Sequence, residues 1–163
     1  MNPLFKQFVV GLVSILLVSA VPVQAQTAKT PSATPQLLVL GDSLSAEYGL
    51  PRGTGWVGLL QNQLRKDGSI WQIANASISG ETTAGGLSRL PDLLKRIKPR
   101  LVIIELGAND ALRGLSLAAT QKNLKEMIVM SKKSGAEVLL VGMQIPPNYG
   151  QEYTKQFARL FVT

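Results

Sequence analysis

The 163-residue sequence contains neither cysteine nor histidine. Without cysteine there is no disulfide framework, no thiol nucleophile and no cysteine-based zinc or iron–sulfur site. Without histidine, these residues alone cannot assemble a Ser-His-Asp triad, a histidine metal site or a histidine pH switch. Charge is also sparse. Charged residues make up 17% and hydrophobic residues 45%, the balance of a core-forming chain and not of a disordered one. The length fits one ordinary α/β domain. Acidic residues are outnumbered, 10 against 17 Lys and Arg, for a formal charge of +7. Lys95, Arg96, Lys98 and Arg100 cluster at the end of one expected helix, where cations suit the helix dipole. Lys122, Lys125, Lys132 and Lys133 dot another. Such groups read as a solvated basic face, with a weak attraction to anionic lipid surfaces as the alternative. Aromatic residues do not interleave with the basic ones, so nucleic-acid binding is not expected. Nothing points to an obligate protein partner.

Long hydrophobic runs are confined to the N-terminus. Lys6, the apolar stretch Phe8 to Val21, Pro22 and the small-residue site ending at Ala25 together read as a secretory signal peptide over residues 1–25. The run is shorter than the ~18 to 20 apolar residues of a membrane span, so cleavage and export to the periplasm or the exterior are expected. Residues 26–36 are rich in Thr, Ala, Pro and Ser and read as a flexible leader. The ordered domain is expected over residues 37–163.

From Leu37 onward, strand and helix signals alternate. Leu37–Leu40 and Leu101–Leu106 are apolar runs of the kind that form strands buried on both faces. Ile70–Ala74 and Val138–Val141 read as further strands. Trp56–Lys66, Thr83–Lys98, Leu117–Ser134 and Tyr149–Phe161 read as helices, with Gly135 ending the third and Pro91 expected to kink or restart the second. This order predicts an α/β fold, a flavodoxin-like parallel sheet in three α/β/α layers. Ligands in such folds sit at the carboxyl ends of the strands.

The loops at those ends are small, polar and glycine-containing. Gly41-Asp42-Ser43-Leu44 follows the first strand, Asn75 to Thr82 the second, and Gly107-Ala108-Asn109-Asp110 the third. Singly, each reads as a turn or a helix cap. Together they bring a serine, a glycine and an asparagine to one crevice, as needed to hold a nucleophile and an oxyanion. A phosphate-binding reading of the first loop lacks a glycine-rich fingerprint.

These blocks resemble the SGNH (GDSL) hydrolases. Asn75 to Thr82, Gly86 to Pro91, Leu112-Arg113-Gly114 and Pro147-Asn148-Tyr149-Gly150 extend the likeness to the thioesterase I, arylesterase and lysophospholipase subfamily, over nearly all of residues 37–161. The resemblance implies Ser43 as the nucleophile, with Gly80 and Asn109 forming the oxyanion hole beside the Ser43 N–H. It makes Asp42 and Asp110 structural. It places the acyl chain along Ala111, Leu112, Arg113, Gly114 and Leu115 and near Ile145, Pro147 and Tyr149. The implied substrates are small acyl esters, thioesters or lysophospholipids, and the chemistry needs no metal or organic cofactor.

One block is missing. The family's Asp-x-x-His, which supplies the general base and its orienting acid, has no counterpart among these residues. The resemblance therefore implies that four of five strands are present and that roughly 30 to 45 residues carrying the last strand and the base are lacking. As it stands, the chain is expected to be inactive. Alternatively, it is a non-catalytic acyl- or lipid-binding relative on the same fold.

Overall fold

A computed structural model describes residues 34–162. The expected signal peptide lies outside them, as does most of the expected leader. Four parallel strands form one sheet in the order β2-β1-β3-β4. They are β1 (Gln36–Gly41), β2 (Gln72–Asn75), β3 (Leu101–Glu105) and β4 (Glu137–Leu140). Leu38 of β1 pairs with Ala74 on one side and Val102 on the other, and Val102 pairs with Val138. The chain's first strand is thus central, and its carboxyl end opens between those of β2 and β3.

Because β1 and β3 are central, side chains on both faces must be apolar. On one face Leu38, Leu40, Val102 and Ile104 pack against α2 (Thr83–Ile97) and α4 (Leu117–Lys133), through Leu90, Leu94, Leu124 and Met127. On the other, Leu37, Val39 and Ile103 meet Val57 of α1 (Trp56–Lys66). The alternation of side chains along β1 therefore divides the core into two layers. A third cluster, Ala111, Ile145 and Phe157, joins α3 (Ala108–Leu112) to α5 (Gln151–Arg159).

The helices follow local rules. The hydroxyls of Thr82 and Ser116 accept from Gly85 N–H and Ala119 N–H, capping α2 and α4. Arg65, Lys66, Lys95, Arg96, Lys132 and Lys133 lie in last turns, where the helix dipole favours cations. Pro91 does not end α2, which runs unbroken from Thr83 to Ile97. Pro91 is exposed, so water can serve the carbonyl group that proline leaves without a donor. The last expected helix divides at Gly150, with a short 3-10 turn over Pro147–Tyr149 before α5.

Candidate active site

The three polar loops occupy the carboxyl ends of β1, β2 and β3. Ser43 follows β1 and is half-buried. The turn around it is closed by backbone bonds from Ala46 N–H to Asp42 O and from Tyr48 N–H to Ser43 O. Asp42 is almost fully buried. Its Oδ1 accepts from the Leu44 N–H at 3.0 Å and its Oδ2 from Asn109 Nδ2 at 3.1 Å. Burial pushes the Asp42 carboxyl above its ordinary range, and these two donors oppose that rise. Asp42 thus braces the serine loop and orients the Asn109 amide, which keeps its second N–H for another acceptor.

Asn109 lies in the first turn of α3, directly after Gly107, whose φ of +123° lets the chain turn off β3. A side chain at Gly107 would also press on Phe161, with the nearest ring atom 3.3 Å from an added Cβ. This short helix carries no sequence signal of its own, because five residues are too few to show a period. Asp110 points the other way, into the core. It accepts from the Thr83 N–H at 2.8 Å, the Thr83 hydroxyl at 2.5 Å and the Thr120 hydroxyl at 3.3 Å. Asp110 therefore ties α3 to the start of α2 and to α4.

Gly80 sits in the β2–α2 loop at φ +77°, a conformation that favours glycine. Two arginines hold this loop. Arg113 Nη2 donates to the Gly80 carbonyl at 2.7 Å, while Arg89 pairs with Glu81 at 2.8 Å and donates to the Ala76 carbonyl. An Ile78 N–H to Gly41 O bond joins the same loop to the end of β1. The serine, glycine and asparagine loops are in this way bonded to one another.

The residues expected along the acyl chain fall into two groups. Ala111 and Ile145 are buried with Phe157 and offer little surface. Leu112, Arg113, Gly114, Leu115, Pro147 and Tyr149 are exposed. A separate trough of about 440 Å³ begins at Leu44 and is lined by Trp56, Glu105, Ala108 and the segment Val141 to Gln144. Glu105 was hidden in the sequence within an apolar strand. The one available signal was an acid at the end of a run otherwise buried on both faces.

Residues 39–162 match the GDSL-like lipase/acylhydrolase family. The chain belongs to this family. It is 52% identical over 130 residues to Esterase TesA of Pseudomonas aeruginosa, a match covering 80% of this chain and 65% of that protein. It is 42% identical over 130 residues to thioesterase 1/protease 1/lysophospholipase L1 of Escherichia coli, covering 80% of this chain and 61% of the relative. Among solved structures, the psychrotrophic esterase EstA from a Pseudoalteromonas species superposes with a TM-score of 0.75 at 47% identity, covering 77% of this chain and 69% of EstA. The chain thus spans a little under two thirds of the length of these curated relatives. The α/β fold with a parallel sheet is the family's own.

Proposed function

We propose that this chain carries the nucleophile and oxyanion hole of an exported serine hydrolase acting on small acyl esters, thioesters or lysophospholipids. The observation that carries this reading is the joining of the Ser43, Gly80 and Asn109 loops at the carboxyl ends of adjacent strands, with Asp42 linking Ser43's turn to Asn109. The names of the relatives, an esterase and a thioesterase/lysophospholipase, supply the substrate class.

In the reaction, Ser43 Oγ attacks the acyl carbonyl carbon. The carbonyl oxygen becomes an oxyanion and takes hydrogen bonds from the N–H groups of Ser43 and Gly80 and from Asn109 Nδ2. The leaving alcohol or thiol departs with a proton, leaving an acyl-serine that water hydrolyses. Each donor contributes ~3 to 4 kcal/mol to the transition state. The exposed side chains of Leu112, Leu115, Pro147 and Tyr149 offer apolar surface for the acyl chain.

Ser43 must give up its proton, and no imidazole is present among the 163 residues to take it. Asp42 is occupied by two donors and is an intrinsically weak base. The proposal is therefore of a site able to form an acyl-serine once a base is supplied. With p-nitrophenyl acetate and imidazole as an external base, peptide mapping should find the acetyl group on Ser43. The Ser43→Ala chain should show none at the corresponding peptide. Failure to acetylate Ser43 would leave the non-catalytic acyl-binding reading.

A further inference from the structure

An acid that the family resemblance does not assign lies beneath the serine loop. Glu105 ends β3 and is only 5% exposed. Its Oε2 accepts from the Ser45 hydroxyl at 2.7 Å and from the Asp42 N–H at 3.4 Å. The Ser45 hydroxyl accepts in turn from the Trp56 indole N–H at 3.1 Å, and the Ser45 carbonyl from Asn75 Nδ2 at 2.7 Å. These bonds bracket Ser43 on both sides. They also join the turn to β3, to α1 and to the end of β2. The approach depends on Gly41, where an added Cβ would stand 2.7 Å from the Ser45 side chain and 2.8 Å from Glu105 Oε2.

Packing does not account for an acid here. A leucine would continue the apolar pattern of β3, whereas a buried carboxyl carries a desolvation penalty. The penalty is visible in Glu105 itself. Burial foremost, and then the neighbouring Asp42 carboxyl, push its pKa above the ordinary range, against the Ser45 hydrogen bond. Oε1 has no hydrogen-bond partner among the described residues. Asp42 is the charged group that faces it. Trp56 from α1 and the segment Val141 to Gln144 after β4 bring no charge to the trough around it.

We infer that Glu105 is a positioning residue, which fixes the turn presenting Ser43 by holding Ser45 and the Asp42 amide against β3. The inference rests on the reading of Ser43 as the nucleophile. Without this tether the turn would lose its bonds to β3, keeping those to Asn75 and Asn109, and could shift against Gly80 and Asn109, which stand on other loops. Attack needs the reacting atoms aligned within about 3 to 3.5 Å, so a small shift slows the reaction.

The test uses the full chain in a Trp71→Phe background, which leaves Trp56 as the reporter indole. The rate of Ser43 acetylation by p-nitrophenyl acetate with imidazole is read by mass, and Trp56 emission is followed against pH. Glu105→Leu should slow acetylation by about tenfold or more, the size of a lost hydrogen bond to a charged group. Ser45→Ala should do the same, and the double variant should be little slower than either. Glu105→Gln keeps an acceptor for Ser45, so its rate should stay within about threefold of the parent, the range of a retained neutral bond. Glu105 is linked to the Trp56 indole through the Ser45 hydroxyl, so parental Trp56 emission should step with pH as the carboxyl titrates, and in Glu105→Gln, which cannot ionise, that step should shrink. Parental rates in both Glu105→Leu and Ser45→Ala would overturn the inference, as would additive losses. If Glu105→Leu does not fold, Ser45→Ala and Glu105→Gln carry the test. If the parent chain is not acetylated at Ser43, the hydrolase reading fails separately. The tether is then judged on Trp56, and an unchanged pH step in Glu105→Gln refutes it.

Discussion

At the scale of single residues, the site is a matter of who holds whom. Asn109 lends one amide hydrogen to Asp42 and has one left for another acceptor, which in the proposed reaction is the oxyanion. Replacing Asn109 by alanine should slow Ser43 acetylation by about 100-fold or more, the typical loss of one oxyanion donor. A loss below about threefold would place Asn109 outside the oxyanion hole. The two buried acids give a pH signature. Asp42 and Glu105 both have raised pKa values through desolvation, so the folded chain binds their protons more tightly than the unfolded chain. Their contribution favours the folded state at low pH. It is lost as pH rises from about 4, the ordinary carboxylate range, through the raised values. Glu105→Gln should therefore lose less stability than the parent over that rise, as measured by urea unfolding at a series of pH values. Parallel curves for the two chains would contradict the assignment. That the loops of Ser43, Gly80 and Asn109 follow adjacent strands was legible in the sequence, because glycine and small polar residues after a buried strand are unusual enough to stand out. Glu105 and Ser45 were not, since their role arises from a contact across sixty positions that no local pattern encodes.

At the scale of elements, most of the sheet and helices could be read from the chain. α1 runs from Trp56 to Lys66 as its apolar spacing indicates, and α4 ends within a residue of the expected position. What escaped was set by tertiary context. β2 begins at Gln72, two residues after the expected Ile70, because its pairing starts opposite Gln36. Pro91 sits inside a helix that the packing of Leu90, Leu93 and Leu94 keeps whole. Asp110 is the clearest tie between elements, accepting from both Thr83 and Thr120. Asp110→Ala should destabilise the chain by about 2 to 4 kcal/mol, since it leaves the buried Thr83 N–H and hydroxyl without their acceptor. Thr82→Ala, which removes only an end cap, should cost about 1 kcal/mol. Equal losses in the two variants, measured by chemical denaturation, would deny Asp110 its linking role.

For the whole molecule, the two faces of the sheet are unequally covered. The α2–α4 face buries β1 and β3 and partly buries Val138 and Leu140 of β4, while on the α1 face Leu139 of β4 is 50% exposed. Among the described residues β4 pairs only with β3, so its outer edge is open as well. An open edge beside exposed apolar side chains promotes self-association. Leu139→Lys should raise the concentration at which the chain stays monodisperse by light scattering, with little change in stability. An unchanged onset of association would show that this face is not the cause. The proposed nucleophile and oxyanion hole stand among 163 residues that hold no imidazole, and one measurement addresses that reading directly. The purified 163-residue chain is incubated with p-nitrophenyl acetate, with and without imidazole, and acetyl groups are located by peptide mapping. Ser43 should be acetylated only when imidazole is present, and turnover without it should be negligible. Robust turnover without imidazole that disappears in Ser43→Ala would contradict the account.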